Sequence, residues 1–215
     1  MNCFNLPETI SALIFDIDNT LYTNEAYAFE QVDVQVREFA RLRGISADEA
    51  RRMVSDERKA WAAEHDGQQI TLANIMLKFG IPVSQSIAWR SELIQPEAFL
   101  KTDEHLVAVM RQLSERYQII AVTNNPVKTG RRNLAALGIE GFFRDVVGLD
   151  TCGISKPAPE PFLKAVELLG VPASACVSIG DRYAVDIATP LTLGMGGILV
   201  SGPDELIKLT QTGLI

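Results

Sequence analysis

The chain reads as an α/β protein, a Rossmann-like parallel sheet with helices on both faces, carrying an inserted α-helical cap domain. From about residue 97 onward, short apolar runs alternate with segments of helical periodicity. That rhythm predicts a parallel sheet covered by helices. Before it, a first apolar run within SALIFDIDNTLY (Ser11 to Tyr22) waits roughly a hundred residues for the next strand, where a simple crossover needs about a dozen or more. A separate module is therefore inserted after the first strand. The expected division is a core of residues 1–21 and 97–215 and a helical cap of residues 22–96.

The first run is rich in Ile, Leu and Phe and too short for a helix, so it reads as a buried strand. Asp16 and Asp18 fall at its carboxyl end, the edge where α/β enzymes bind ligands, and Thr20 follows at the next alternate position. In the insertion, Phe29, Val32, Val36, Phe39 and Leu42 recur at helical spacing until Gly44. Ser46 with Glu49 has the spacing of a capping box and opens a second helix through Ala50, Met53 and Val54 toward Trp61. A loop is expected at His65 to Gln68. A third helix runs from about Thr71 to Gly80, and a fourth lies between Ser84 and Ile94, closed off by Pro96.

The core resumes with a helix whose apolar face is Leu106, Val109, Met110 and Leu113, then the strand QIIAVTNN, which carries Thr123 and Asn124 at its polar end. A helix through Leu134 and Leu137 stops at Gly138, and the short strand DVVGL follows. The loop TCGISKPAPEP then delivers Lys156 just before another helix. ACVSIGD is a fourth strand ending in Asp181, and GGILV a fifth. Between these two, Pro190 has no N–H and its ring would collide with the Asp186 carbonyl. An irregular segment is expected at Tyr183 to Ile187.

With 215 residues, 47% of them hydrophobic and 22% charged, the composition is that of an ordinary globular protein. No apolar stretch approaches the roughly 20 residues of a membrane span. The N-terminal segment lacks a basic region ahead of an apolar one, so no secretory signal is read and the expected compartment is the cytoplasm. Cys3, Cys152 and Cys176 are scattered, with neither a CxxC nor histidines at ligand spacing, and read as buried or inert thiols. The net charge of −7 argues against a nucleic-acid partner, which needs a basic surface.

Singly, each polar strand end is explained by capping. Together, four chain segments bring such groups to one sheet edge. The pattern of Asp16-x-Asp18-x-Thr20, Thr123 with Asn124, Lys156 ahead of a helix, and Gly180-Asp181 with Asp186 five residues after Asp181 resembles the haloacid dehalogenase superfamily, in its phosphatase branch with a small helical cap. The resemblance covers the whole chain; the first and last motifs are the specific ones.

The resemblance implies roles. Asp16 would be the nucleophile that forms an aspartyl-phosphate, and Asp18 the acid and base that serves leaving alcohol and attacking water. Thr20, Thr123, Asn124 and Lys156 would bind the phosphate, and Lys156 would also act in catalysis through its charge. Mg²⁺ would be held by Asp16, Asp181 and the Asp18 backbone carbonyl, with Asp186 binding it directly or through water. Asp18 sets phosphatases and phosphomutases apart from dehalogenases. The partner implied is a small phosphorylated metabolite, with no nucleic acid and no membrane, the protein being a monomer or homodimer. Asn19, where many relatives carry Gly, leans toward nucleotidases and sugar-phosphate phosphatases.

In the cap, Tyr22, Glu25, Tyr27 and the loop from His65 to Gln69 could reach substrate, although surface or cap-core positions are the plainer reading. His105 reads as a solvated helix residue and Arg182 as a surface residue at a helix start. The rival functions are a sugar phosphomutase on the same core and an idle binding or regulatory protein.

Overall fold

The structure is a computed structural model that describes residues 1–68 and 70–211. Gln69, at the end of the expected cap loop, lies outside them. The described strands are β1 (Asn2–Phe4), β2 (Ala12–Phe15), β3 (Gln118–Val122), β4 (Val146–Val147), β5 (Cys176–Gly180) and β6 (Gly196–Leu199), in the sheet order β1-β6-β5-β2-β3-β4. The strands from β2 to β6 pair parallel, and β1 joins β6 antiparallel. The parallel strands answer the expected α/β fold. The sequence does not signal the edge strand β1, since its three residues carry no apolar run and only its partner makes it a strand.

All four residues of β2 are buried between its neighbours β3 and β5. Ala12 and Ile14 belong to the core built with Phe162, Ala165 and Leu169 of α8 (Glu160–Leu169). Leu13 and Phe15 alternate to the opposite face, where Phe15 meets the edge of Phe143. In α5 (Glu104–Ser114), Leu106, Val109, Met110 and Leu113 are all buried, as their spacing predicts. His105, in its first turn, is exposed. Asp103 caps that helix by accepting from the backbone of His105 and Leu106. A short helix, α7 (Leu149–Cys152), stands where the sequence reads as loop, and α6 (Val127–Ala136) and α10 (Pro203–Gln211) are further helices of the sheet's surround.

The chain divides into two compact units, Met1–Asn24 with the chain from Pro96 onward, and Glu25–Gln95. The second holds α1 (Glu25–Arg43), α2 (Ala47–Glu64), α3 (Leu72–Lys78) and α4 (Val83–Leu93). Its core is Val36, Phe39, Ala40, Ala50, Val54, Ile70, Ile75, Met76, Ile81 and Trp89. Ser46 accepts from Glu49 N–H and Thr71 from Asn74 N–H, so both expected helix starts are capped.

The expected apolar face of α1 is corrected. Phe29 is 63% exposed, and Val32, Leu42 and, on α2, Met53 are exposed too. Polar residues take the inward positions instead. Asp33 accepts from Arg51 Nε at 2.7 Å and Nη2 at 2.9 Å, and Gln35 Oε1 accepts from the Ser86 hydroxyl at 3.1 Å. Paired this way, the buried carboxylate and amide are satisfied, and the helix rotates Phe29 outward.

Among the cysteines, Cys3 is exposed and Cys152 half-buried, while burial pushes the Cys176 thiol up to about 11. No helix among the described residues is long and apolar enough to cross a membrane.

Candidate active site

The strand ends expected to converge come from β5, β2 and β3, three neighbours at the centre of the sheet. Phe15 is level with Ile179 and Ala121, so the residues just beyond them, Asp16, Gly180-Asp181 and Thr123, emerge at one edge. Asp16 is tied into that edge by its own N–H, which donates to Ile179 O at 2.8 Å.

Lys156 reaches this edge from the loop before α8. It is 4% exposed, and its Nζ donates to Asp16 Oδ1 at 2.6 Å and to Asp186 Oδ1 at 2.7 Å. A solvated loop lysine is thereby excluded. Burial alone would lower the Lys156 pKa, but the two carboxylates outweigh it and hold the ammonium charged. Burial pushes the Asp16 carboxyl up to about 7; Lys156 pulls it down, while Asp186 and Asp18 add to the rise. One ammonium faces two carboxylates here, so an excess negative charge is left for a cation to neutralise.

The backbone of Lys156 is clamped by Asn124. Its N–H donates to Asn124 Oδ1 at 2.8 Å, and its carbonyl accepts from Asn124 Nδ2 at 3.1 Å. The Asn124 amide thus places Lys156, and the second hydrogen of its Nδ2 is not used by this clamp. Thr123 is buried, and its Oγ1 accepts from Asn125 N–H at 3.1 Å, which leaves the hydroxyl hydrogen to point elsewhere. Thr20 has no exposed surface, and its Oγ1 has no hydrogen-bond partner among the described residues. It is as buried as Asp16, Thr123 and Lys156.

Asp18 is held by two donors. The Tyr22 hydroxyl donates to Oδ1 and Asn125 Nδ2 to Oδ2, the latter at 2.9 Å. Tyr22 is thus a buried partner of Asp18, and Asn125 is a second that the sequence alone does not single out. The one signal was its place in the run Thr123-Asn124-Asn125 at a strand end. Between the two aspartates and Tyr22, Asn19 sits at φ +59°, a left-handed conformation that Asn tolerates better than most residues with a side chain. This accounts for Asn at a position where Gly is the alternative. Of the other residues singled out, Glu25 is exposed, Tyr27 is fully buried, and the His65 ring stacks on Trp61.

Carboxylate oxygens of Asp16, Asp181 and Asp186 lie within 4.8 Å of one another. Asp16 Oδ2 and Asp181 Oδ1 are buried without a hydrogen-bond partner among the described residues. Such orphaned hard oxygens fit a hard divalent cation. Burial also raises the Asp181 pKa, against the opposing pull of the exposed Arg182, whose Nε is 3.7 Å from Asp181 Oδ1. Asp186 packs so close to Gly180 that a Cβ there would lie 2.4 Å from the Asp186 Cβ. Only glycine leaves room for that carboxylate.

The expected irregular segment is present. Tyr183–Ile187 forms a π-helical turn that leads into α9 (Ala188–Thr192).

Fold and site together define an α/β protein with an acidic centre, only partly neutralised by one lysine, at the strand ends. The haloacid dehalogenase-like hydrolase family matches over residues 10–192, and the chain belongs to it. It is 28% identical over 193 residues to the glyceraldehyde 3-phosphate phosphatase of Methanopyrus kandleri, covering 86% of this chain and 82% of that one. It is 26% identical over 210 residues to the 5-amino-6-(5-phospho-D-ribitylamino)uracil phosphatase YigB of Escherichia coli, covering 86% and 81%. Its fold is also similar to the crystal structure of a HAD phosphatase from Thermococcus onnurineus, with a TM-score of 0.60 at 24% identity over 89% of this chain and 86% of that one.

Proposed function

We propose that the protein is a Mg²⁺-dependent phosphatase that hydrolyses a small phosphomonoester, a nucleoside monophosphate or sugar phosphate, through an aspartyl-phosphate on Asp16. The observation that carries the reading is the pair of carboxylates at the end of β2. Asp16 has one oxygen on Lys156 and the other without a partner among the described residues, and Asp18 is held two residues away by Tyr22 and Asn125. The phosphatase names of the two relatives support it.

A carboxylate oxygen of Asp16 attacks phosphorus as the ester P–O bond breaks, and the departing alkoxide takes a proton from Asp18. Asp18, now anionic, removes a proton from water. That water attacks phosphorus, breaks the bond to Asp16 and releases inorganic phosphate. Lys156 keeps a positive charge beside the nucleophile throughout, where burial makes that charge count for more than it would in water. Thr20, Thr123, Asn124 and Lys156 are the side chains proposed to donate to the phosphate oxygens. Asp16, Asp181 and Asp186 would hold Mg²⁺, which supplies further positive charge against the repulsion between carboxylate and phosphate. The helical unit inserted after β2 is proposed as the cap that selects the substrate.

The test is release of inorganic phosphate from a panel of nucleoside monophosphates and sugar phosphates, with Mg²⁺ and with chelator. Release that needs Mg²⁺ and is abolished by Asp16→Asn is the expected result. No release from any ester would overturn the reading, and isomerisation of a sugar phosphate without release would reassign it to a phosphomutase.

A further inference from the structure

Pro190 stands four residues after Asp186, so the Asp186 carbonyl cannot receive the N–H that a continuing α-helix would supply. Asp186 is 1% exposed, and a buried carbonyl left without a donor is costly. Ser178 of β5, itself buried, supplies the donor: its Oγ–H donates to Asp186 O at 2.7 Å. The chain between closes as the wider π-turn, with Ala188 N–H on Tyr183 O. From that turn the Asp186 side chain reaches Lys156 Nζ at 2.7 Å and the Arg182 N–H at 3.1 Å, packed flat against Gly180.

We propose that Ser178 and Pro190 act as a pair that places the Asp186 carboxylate. The proline denies the turn its α-helical closure, and the serine hydroxyl takes up the carbonyl that this frees. Asp186 is thereby held at the register where it meets Lys156 and the oxygens of Asp16 and Asp181. Ser178 is a positioning residue: it acts through Asp186. Its geometric consequence stands apart from the phosphatase reading, whereas its consequence for metal affinity and turnover rests on that reading.

A hydroxyl that merely satisfied a carbonyl would serve stability alone, and two variants separate the cases. Ser178→Ala removes the donor while Pro190 still withholds its own, so a lowered melting temperature is expected. Ser178→Ala/Pro190→Ala supplies a new N–H at position 190, which lets the segment close as an α-helix and recovers the melting temperature. The double variant is therefore informative even if the single one does not fold.

On the proposal, a crystal structure of the metal-free double variant shows the new backbone N–H at position 190 donating to Asp186 O and the Lys156–Asp186 contact broken. Calorimetric titration with Mg²⁺ shows affinity weakened about 10–100-fold. The kcat/KM for p-nitrophenyl phosphate falls about 100-fold, as a misplaced group would give. A double variant that keeps the π-turn and the Lys156 contact, or that binds Mg²⁺ as tightly as wild type, overturns the proposal. If wild type neither binds Mg²⁺ nor releases phosphate, the phosphatase reading fails, and the crystal structure of the double variant still decides the placement of Asp186.

Discussion

Asn125 Nδ2 donates to Asp18 Oδ2 at 2.9 Å, joining the end of β3 to the proposed acid and base just beyond β2. With the Tyr22 hydroxyl on the other oxygen, both faces of that carboxylate are oriented by the protein. Asn125→Ala is expected to lower kcat on alkyl phosphates by about 10-fold or more, since positioned acid–base groups contribute about 10²–10⁴-fold. The effect should be smaller on p-nitrophenyl phosphate, whose leaving group departs as an anion without being protonated. Steady-state kinetics on the two substrate types checks this; equal losses on both would remove Asn125 from the acid–base step.

Lys156 Nζ is bonded to both Asp16 and Asp186. Lys156→Met leaves two buried carboxylates unneutralised, a change that costs about 3–5 kcal/mol where a buried pair is broken. Chemical denaturation of the metal-free protein should show that loss, and turnover should fall about 10²-fold or more. Added Mg²⁺ should recover part of the stability, because it faces the same carboxylates.

Gly180→Ala places a methyl 2.4 Å from the Asp186 Cβ. Overpacking of this kind costs about 1–3 kcal/mol. The displaced carboxylate should cost activity beyond the stability loss, measurable as a fall in kcat at a temperature where the variant is fully folded.

Asp33 lies in the helical unit, and hydrogen bonds from Arg51, aided by Arg37, hold its carboxyl below the usual range against the opposing effect of burial. A depressed folded-state pKa means that the stabilisation is present above the unfolded value, about 3.9, and is lost as pH falls through the folded one. Asp33→Asn should therefore lower the melting temperature by roughly 2–4 °C at pH 7, a modest figure because the arginines are partly exposed. The gap to wild type should begin to narrow below about pH 4 and close once pH has fallen past the depressed folded value. A gap that persists in acid would mean that packing, rather than charge, holds α1 to α2.

Much of the core domain was legible because its signals are local. The apolar runs of β2, β3 and β5 and the periodicity of Leu106, Val109, Met110 and Leu113 need no knowledge of partners. The helical unit was less so. On α1 the apolar spacing pointed Phe29 and Leu42 inward, and only the pairing of Asp33 with Arg51, on another helix, shows why polar residues take that face. The strand β1 was invisible for a like reason, since three residues become a strand only through hydrogen bonds to β6.

The sequence by itself determined the order of the motifs, the alternation that brings their strand ends to one edge, and the break that Pro190 imposes after Asp186. These follow from backbone periodicity and from a missing N–H, both readable one residue at a time. Tertiary structure alone decided what each polar side chain does there. Asn124 grips the Lys156 backbone, Asn125 and Tyr22 hold Asp18, Thr20 is buried, and Ser178 answers the carbonyl that Pro190 leaves open. The reason is that a hydrogen bond depends on distances of about 3 Å between groups far apart in the chain, and those distances exist only once the sheet has assembled.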